Sequence, residues 1–126
     1  MSAVGVGIDL VDVARIASMR LRYGDEFLKR NFCDFEIEYC GKFKSPDIHY
    51  AARFAAKEAI VKALGTGFSG GITPKSVGVK NGENGAPYAV LGDAAARRLK
   101  EIGASKILIS ITHLKDYAEA IAIAEE

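Results

Sequence analysis

Asp9, Lys57, Glu58 and Lys62 are the residues of this chain whose types and surroundings could do chemistry. Asp9 ends the run Val6-Gly7-Ile8-Asp9, and the other three lie inside Arg53-Phe54-Ala55-Ala56-Lys57-Glu58-Ala59-Ile60-Val61-Lys62. An ionised carboxylate among apolar neighbours is costly unless a cation, a proton or strong hydrogen bonds compensate it. Two such carboxylates could share a divalent metal ion. Plainer readings compete: Asp9 as the cap of a following helix, and Glu58 with Lys62 as a surface pair one turn apart. Neither accounts for Lys57.

These residues need elements to carry them. Residues 3–11 alternate, with Val4, Val6, Ile8 and Leu10 on one side and Gly5, Gly7, Asp9 and Val11 on the other, which is the period of a strand. Two glycines lead up to Asp9 on its own face, so a ligand or another backbone can come close there. A long helix is expected over residues 46–64, started by Ser45-Pro46-Asp47 and stopped by Gly65. At about 100° per residue, Tyr50, Phe54, Ile60, Val61 and Leu64 share one broad apolar face that includes Lys57, with Glu58 at its edge. Residues 13–43 read as two or three short helices. Residues 76–80 and 87–91 read as a hairpin around Asn81-Gly82-Glu83-Asn84-Gly85. A helix over residues 92–102 stops at Gly103, and residues 106–112 and 117–124 form a second hairpin with Ile107, Ile109, Ile111 and His113 on one face. Strands at both ends and helices between them predict an α+β domain, an antiparallel sheet packed with a long helix and several short ones.

Composition narrows the possibilities further. A chain of 126 residues and 13.5 kDa is expected to be a single domain, residues 1–126. A net charge of +1 argues against bulk electrostatic attachment to nucleic acid or a membrane, so charged partners must be met by local patches. Arg15, Arg20, Arg22, Lys29 and Arg30, opposed only by Asp25 and Glu26, make one such patch. No apolar stretch approaches the roughly 20 residues of a membrane span, and there is no secretory leader, so a cytoplasmic protein is expected. Cys33 and Cys40 fit free thiols in a reducing compartment. The glycine-rich loop of residues 65–71 follows a helix and lacks the Lys-Ser/Thr of a Walker A loop.

With these parts placed, the sequence resembles the 4'-phosphopantetheinyl transferases, and closely resembles their short class, the holo-[acyl-carrier-protein] synthases. The residues that carry the resemblance run nearly end to end: Gly7-Ile8-Asp9 with Asp12 and Arg15-Ile16; Arg53-Phe54-Ala55-Ala56-Lys57-Glu58-Ala59 through Lys62; Gly65-Thr66-Gly67; Asn84-Gly85-Ala86-Pro87-Tyr88; and Ser110-Ile111-Thr112-His113. Five blocks in this order are specific, whereas Gly-Ile-Asp alone would be weak.

The resemblance implies transfer of the 4'-phosphopantetheine arm of coenzyme A to a serine of apo-acyl carrier protein, with release of adenosine 3',5'-bisphosphate, as in fatty acid biosynthesis. It implies Mg²⁺ held by Asp9 and Glu58, and phosphate contacts from Lys62, with Lys57 doing likewise or holding Glu58 in place. Glu58, Lys62 and Lys57 are thus the expected catalytic residues. Arg53, Lys57, Lys62, Gly65, Asn84, Gly85, Pro87, Thr112 and His113 are the expected coenzyme contacts. The acidic carrier protein would dock on Arg15, Met19, Arg20 and Arg22. The serine proton could go to Glu58 through water, to a metal-bound water or, as the weaker reading, to His113. The short class also implies a homotrimer with sites between subunits, Asp9, Glu58 and Lys62 from one and the Asn84 loop from its neighbour. One departure stands out: Cys33 occupies a position where the family usually has a helix-capping Thr. Glu36, which follows it, would offer a further water contact to the metal.

Overall fold

The structure, a computed structural model, describes residues 2–126. The chain runs β1 (Ala3–Asp12), α1 (Val13–Tyr23), α2 (Asp25–Asn31), α3 (Asp34–Gly41) and α4 (Pro46–Leu64), then a 3₁₀ turn (Pro74–Ser76). It continues through β2 (Val77–Asn81), β3 (Pro87–Leu91), α5 (Asp93–Glu101), β4 (Lys106–His113) and β5 (Tyr117–Glu125). Three strands form an antiparallel sheet in the order β1-β5-β4, and β2 and β3 form a separate hairpin. This is the expected α+β arrangement. The long helix falls over residues 46–64 as predicted, with Pro46 in its first turn and Gly65 as a left-handed cap at φ 76°.

The sheet packs α4 with its small residues. Ala118, Ala120, Ala122 and Ala124 of β5 are all buried, and so are Ala51, Ala52, Ala55, Ala56, Ala59 and Ala63 of α4. Alanine on both sides lets helix and sheet approach closely, with van der Waals contact spread along the seam. At β1 the approach is closer still. A Cβ on Gly5 would run into the carbonyl of Ala63, and one on Gly7 into the carbonyl of Ala59. The backbone expected near Asp9 is therefore that of α4.

The opposite face of the sheet carries most of the large side chains of β1. Val6, Ile8 and Leu10 are 64%, 55% and 60% exposed, and Val4, Leu108, Tyr117 and Ile121 are exposed beside them. Cross-strand pairs such as Ile8 with Ile121 make this one continuous apolar surface.

Phe32 and Tyr50 anchor the short helices on α4, their rings 4.9 Å apart. Here the structure also resolves Lys57. Its side chain is fully buried, with Nζ 2.5 Å from Glu36 Oε1 and donating to the carbonyls of Pro74 at 2.7 Å and Val77 at 3.1 Å. Glu36 in turn accepts from the Cys33 amide at 2.8 Å and the Val79 amide at 2.9 Å. Cys33 makes no side-chain cap to α3, as its weak hydrogen-bonding predicts, and Glu36 supplies the reciprocal bond instead. The pair ties α3, α4, the 3₁₀ turn and β2 together.

Candidate functional site

Asp12, not Asp9, caps α1, its carboxylate accepting from the Ala14 amide at 2.9 Å. That leaves the Asp9 carboxylate free to face α4. Lys62 reaches across to it, with Nζ 3.1 Å from Asp9 Oδ1 and 2.9 Å from the carbonyl oxygen of Ile8. Lys62 thus bonds to β1, and the plainer reading of a one-turn pair with Glu58 gives way to a contact between elements far apart in sequence. Glu58 is half-buried beside them. Desolvation, and then the negative charge of Asp9, push its pKa above the ordinary 4.5, while Lys62 and Arg15 pull against that rise. Asp9, Glu58 and Lys62 are therefore one electrostatic unit, assembled because glycines at 5 and 7 let α4 lie against β1. Gly65 ends the helix one turn beyond Lys62.

Lys57 and Glu36 belong elsewhere. The expectation that Lys57 contacts phosphate or holds Glu58 is corrected, because its ammonium is sealed in the core and occupied by Glu36 and two carbonyls. Glu36 likewise has both oxygens committed to Lys57 and two backbone amides, so it is a structural carboxylate rather than a metal-shell residue.

A second group of expected residues gathers around Arg53. The guanidinium lies over the Tyr39 ring at 4.4 Å and donates to Asn81 Oδ1, but its buried Nε has no partner among the described residues. It lines a cleft of about 190 Å³ with Tyr39, His49, Gly85, Pro87 and His113. Arg53 precedes Glu58 by about 1.4 helical turns, so the two side chains leave α4 about 140° apart around its axis. Not all the expected contacts join this cleft. Asn84 is exposed in the hairpin loop, its Oδ1 accepting from the Ala86 amide at 3.1 Å. Thr112 is exposed and alternates with His113, so it lies on the sheet's outer face opposite Glu119. Within one chain Thr112 is thus displaced from the cleft by the pleat. His49 and Tyr39 were missed. His49 was legible, standing one turn before Arg53 on the same helix, whereas Tyr39 arrives from α3 and carries no such signal.

On α1, Arg15, Met19 and Arg22 are exposed as a docking surface requires. Arg20 is partly withdrawn, forming a two-point bond to Asp47 at 2.6 and 3.1 Å near the start of α4. Met19 also opens onto a groove of about 300 Å³ shared with Tyr23, Glu26, Phe27, Arg30 and Asn31. No helix among the described residues is long and apolar enough to cross a membrane.

Known proteins share this fold over nearly the whole chain. A holo-[acyl-carrier-protein] synthase of Protochlamydia amoebophila is 46% identical over 121 residues, covering 95% of this chain and 96% of that protein. The crystal structure of holo-[acyl-carrier-protein] synthase from Neisseria meningitidis superposes with a TM-score of 0.91 at 31% identity, covering 99% of this chain and 100% of that one. The Helicobacter pylori holo-[acyl-carrier-protein] synthase, solved in complex with coenzyme A, superposes with a TM-score of 0.83 at 28% identity, covering 95% and 99%. The sequence model of the 4'-phosphopantetheinyl transferase superfamily matches residues 5–122, and with relatives this similar along its length the chain belongs to that superfamily.

Proposed function

We propose that this protein is a holo-[acyl-carrier-protein] synthase, moving the 4'-phosphopantetheine arm of coenzyme A to a serine of apo-acyl carrier protein and releasing adenosine 3',5'-bisphosphate. The observation that carries the reading is the convergence of Asp9, Glu58 and Lys62 from β1 and α4. Two carboxylates in mutual repulsion, with an ammonium alongside, suit a hard divalent cation bound through oxygen. Mg²⁺, a hard cation that is commonly held by one or two carboxylates together with substrate phosphates, is the ion such a pair would take. When bound by Asp9 and Glu58, Mg²⁺ would neutralise the pyrophosphate during attack at phosphorus.

The chain's own residues do the rest. Lys62, half-exposed at the edge of the pair, meets the charge that builds on the departing phosphate. Glu58, whose raised proton affinity supports the role, accepts the serine proton through water. Arg53 and His113 receive the nucleotide end of the coenzyme, where the unpartnered Arg53 Nε awaits an acceptor. Because Arg53 and Glu58 leave α4 in different directions, one chain does not present both groups to a single coenzyme. A homotrimer resolves this, with each neighbour's cleft completing the first chain's carboxylate site. The exposed Val6, Ile8 and Leu10 fit that assembly, since burying the exposed part of each is worth about 1–2 kcal/mol. Arg15, Met19 and Arg22, with the groove beside Met19, suit an acidic helical carrier in the cytoplasm.

The test is mass spectrometry of an apo-acyl carrier protein incubated with this protein, coenzyme A and Mg²⁺. Gain of the arm on the carrier supports the reading; hydrolysed coenzyme with unmodified carrier would instead indicate a hydrolase. Asp9→Ala or Glu58→Ala should lower the rate at least about 100-fold in folded protein. Full activity in either variant at limiting Mg²⁺ would refute the metal assignment.

A further inference from the structure

His113 stands at the exposed end of β4, and no protein group among the described residues hydrogen-bonds its imidazole. One ring does touch it. The His49 centroid lies 5.9 Å away at an interplanar angle of 73°, an edge-to-face contact. His49 is itself clamped, stacked on Phe43 at 3.6 Å and 18° and set edge-on to Tyr39 at 6.3 Å. Tyr39 in turn supports the Arg53 guanidinium at 4.4 Å. A chain of contacts therefore runs from Phe43 through His49 to His113 on one side, and through Tyr39 to Arg53 on the other.

We infer that His49 is a positioning residue for the coenzyme cleft, fixing the His113 ring at the angle at which it meets the nucleotide. The inference rests on the transferase reading above. His49 does this as an aromatic plate and not as a charge. Burial, then the neighbouring charges of His113 and Arg53, push its pKa below the ordinary 6.5, so it is neutral when the cleft is ready for an anion.

The discriminating experiment is steady-state transfer with coenzyme A varied, on wild type, His49→Ala, His49→Phe, His113→Ala and the His49→Ala/His113→Ala double variant. Losing one edge-to-face contact should raise KM for coenzyme A roughly 2- to 10-fold, with kcat and KM for the carrier protein unchanged. Phenylalanine keeps the plate and should restore wild-type KM. The double variant should be no worse than His113→Ala alone, because His49 acts only through that ring. An unchanged KM in His49→Ala would overturn the inference, as would a His49→Phe variant as impaired as His49→Ala, which would make the imidazole nitrogens direct ligands. Wild type that transfers normally while His49→Ala behaves identically refutes this role alone. Wild type that neither binds coenzyme A nor transfers its arm refutes the transferase reading and this inference with it.

Discussion

Replacing Lys57 with methionine separates structure from catalysis at the residue next to the proposed metal ligand. The substitution keeps length and apolar volume but removes the ammonium that Glu36 holds at 2.5 Å in a site closed to solvent. Removing one partner of a buried pair leaves the other charge uncompensated, at a cost of about 3–5 kcal/mol. Two carbonyls, those of Pro74 and Val77, also lose their donor. Glu36 keeps its bonds from the Cys33 and Val79 amides, which places the effect toward the lower end of that range. A loss of this size is a large share of the 5–15 kcal/mol by which a typical domain is stable. Urea unfolding should show a lower midpoint with unchanged slope. Lys57→Met with Glu36→Gln, which removes both charges, should be more stable than Lys57→Met alone. Catalysis supplies the counter-test. If Lys57 only braces the core, kcat of the folded Lys57→Met fraction should stay within about threefold of wild type. A wild-type unfolding midpoint combined with a kcat lowered about 100-fold would refute the structural assignment and return Lys57 to the phosphates.

Gly7→Ala should destabilise by about 1–3 kcal/mol and lower transfer activity, because its Cβ would press on the α4 backbone beside Lys62; a variant with wild-type stability and rate would show that the close approach is dispensable. Arg22→Glu should raise KM for the carrier protein and flatten its salt dependence while leaving coenzyme affinity intact, which isothermal titration and kinetics at two ionic strengths can check. Arg22 is the cleaner probe than Arg15, whose charge also reaches Glu58, or Arg20, which holds Asp47. His49 gives a pH signature. Its folded pKa is depressed below 6.5, so the unfolded chain binds the proton more readily, and the stability it contributes is complete above that value and lost as pH falls toward the folded pKa. Thermal unfolding at pH 7.5 and pH 5.5 should therefore show a smaller acid-side loss for His49→Phe than for wild type; equal losses would exclude this contribution.

Local pattern was enough for much of this protein. Alternation placed Asp9 on a glycine-cleared strand face, and Pro46 and Gly65 bounded α4, because strand period, proline and glycine act over a few residues. The basic run on α1 was equally visible. What the pattern did not reveal was who stands opposite whom. Lys57 stood out as a misfit on an apolar face, but its partner Glu36 lies on another helix, and only tertiary packing turned a candidate phosphate ligand into half of a buried ion pair. Asp12 rather than Asp9 became the helix cap because the strand continues to it, freeing Asp9 for Lys62. The large side chains of β1 face outward and its glycines inward, a choice that alternation alone leaves undecided since both faces share one period. The sequence by itself determined which elements form and which residues ride on each. The tertiary structure decided which of those residues meet, because pairing between distant segments depends on how closely two surfaces pack, and here that distance is set by hydrogen atoms at Gly5 and Gly7.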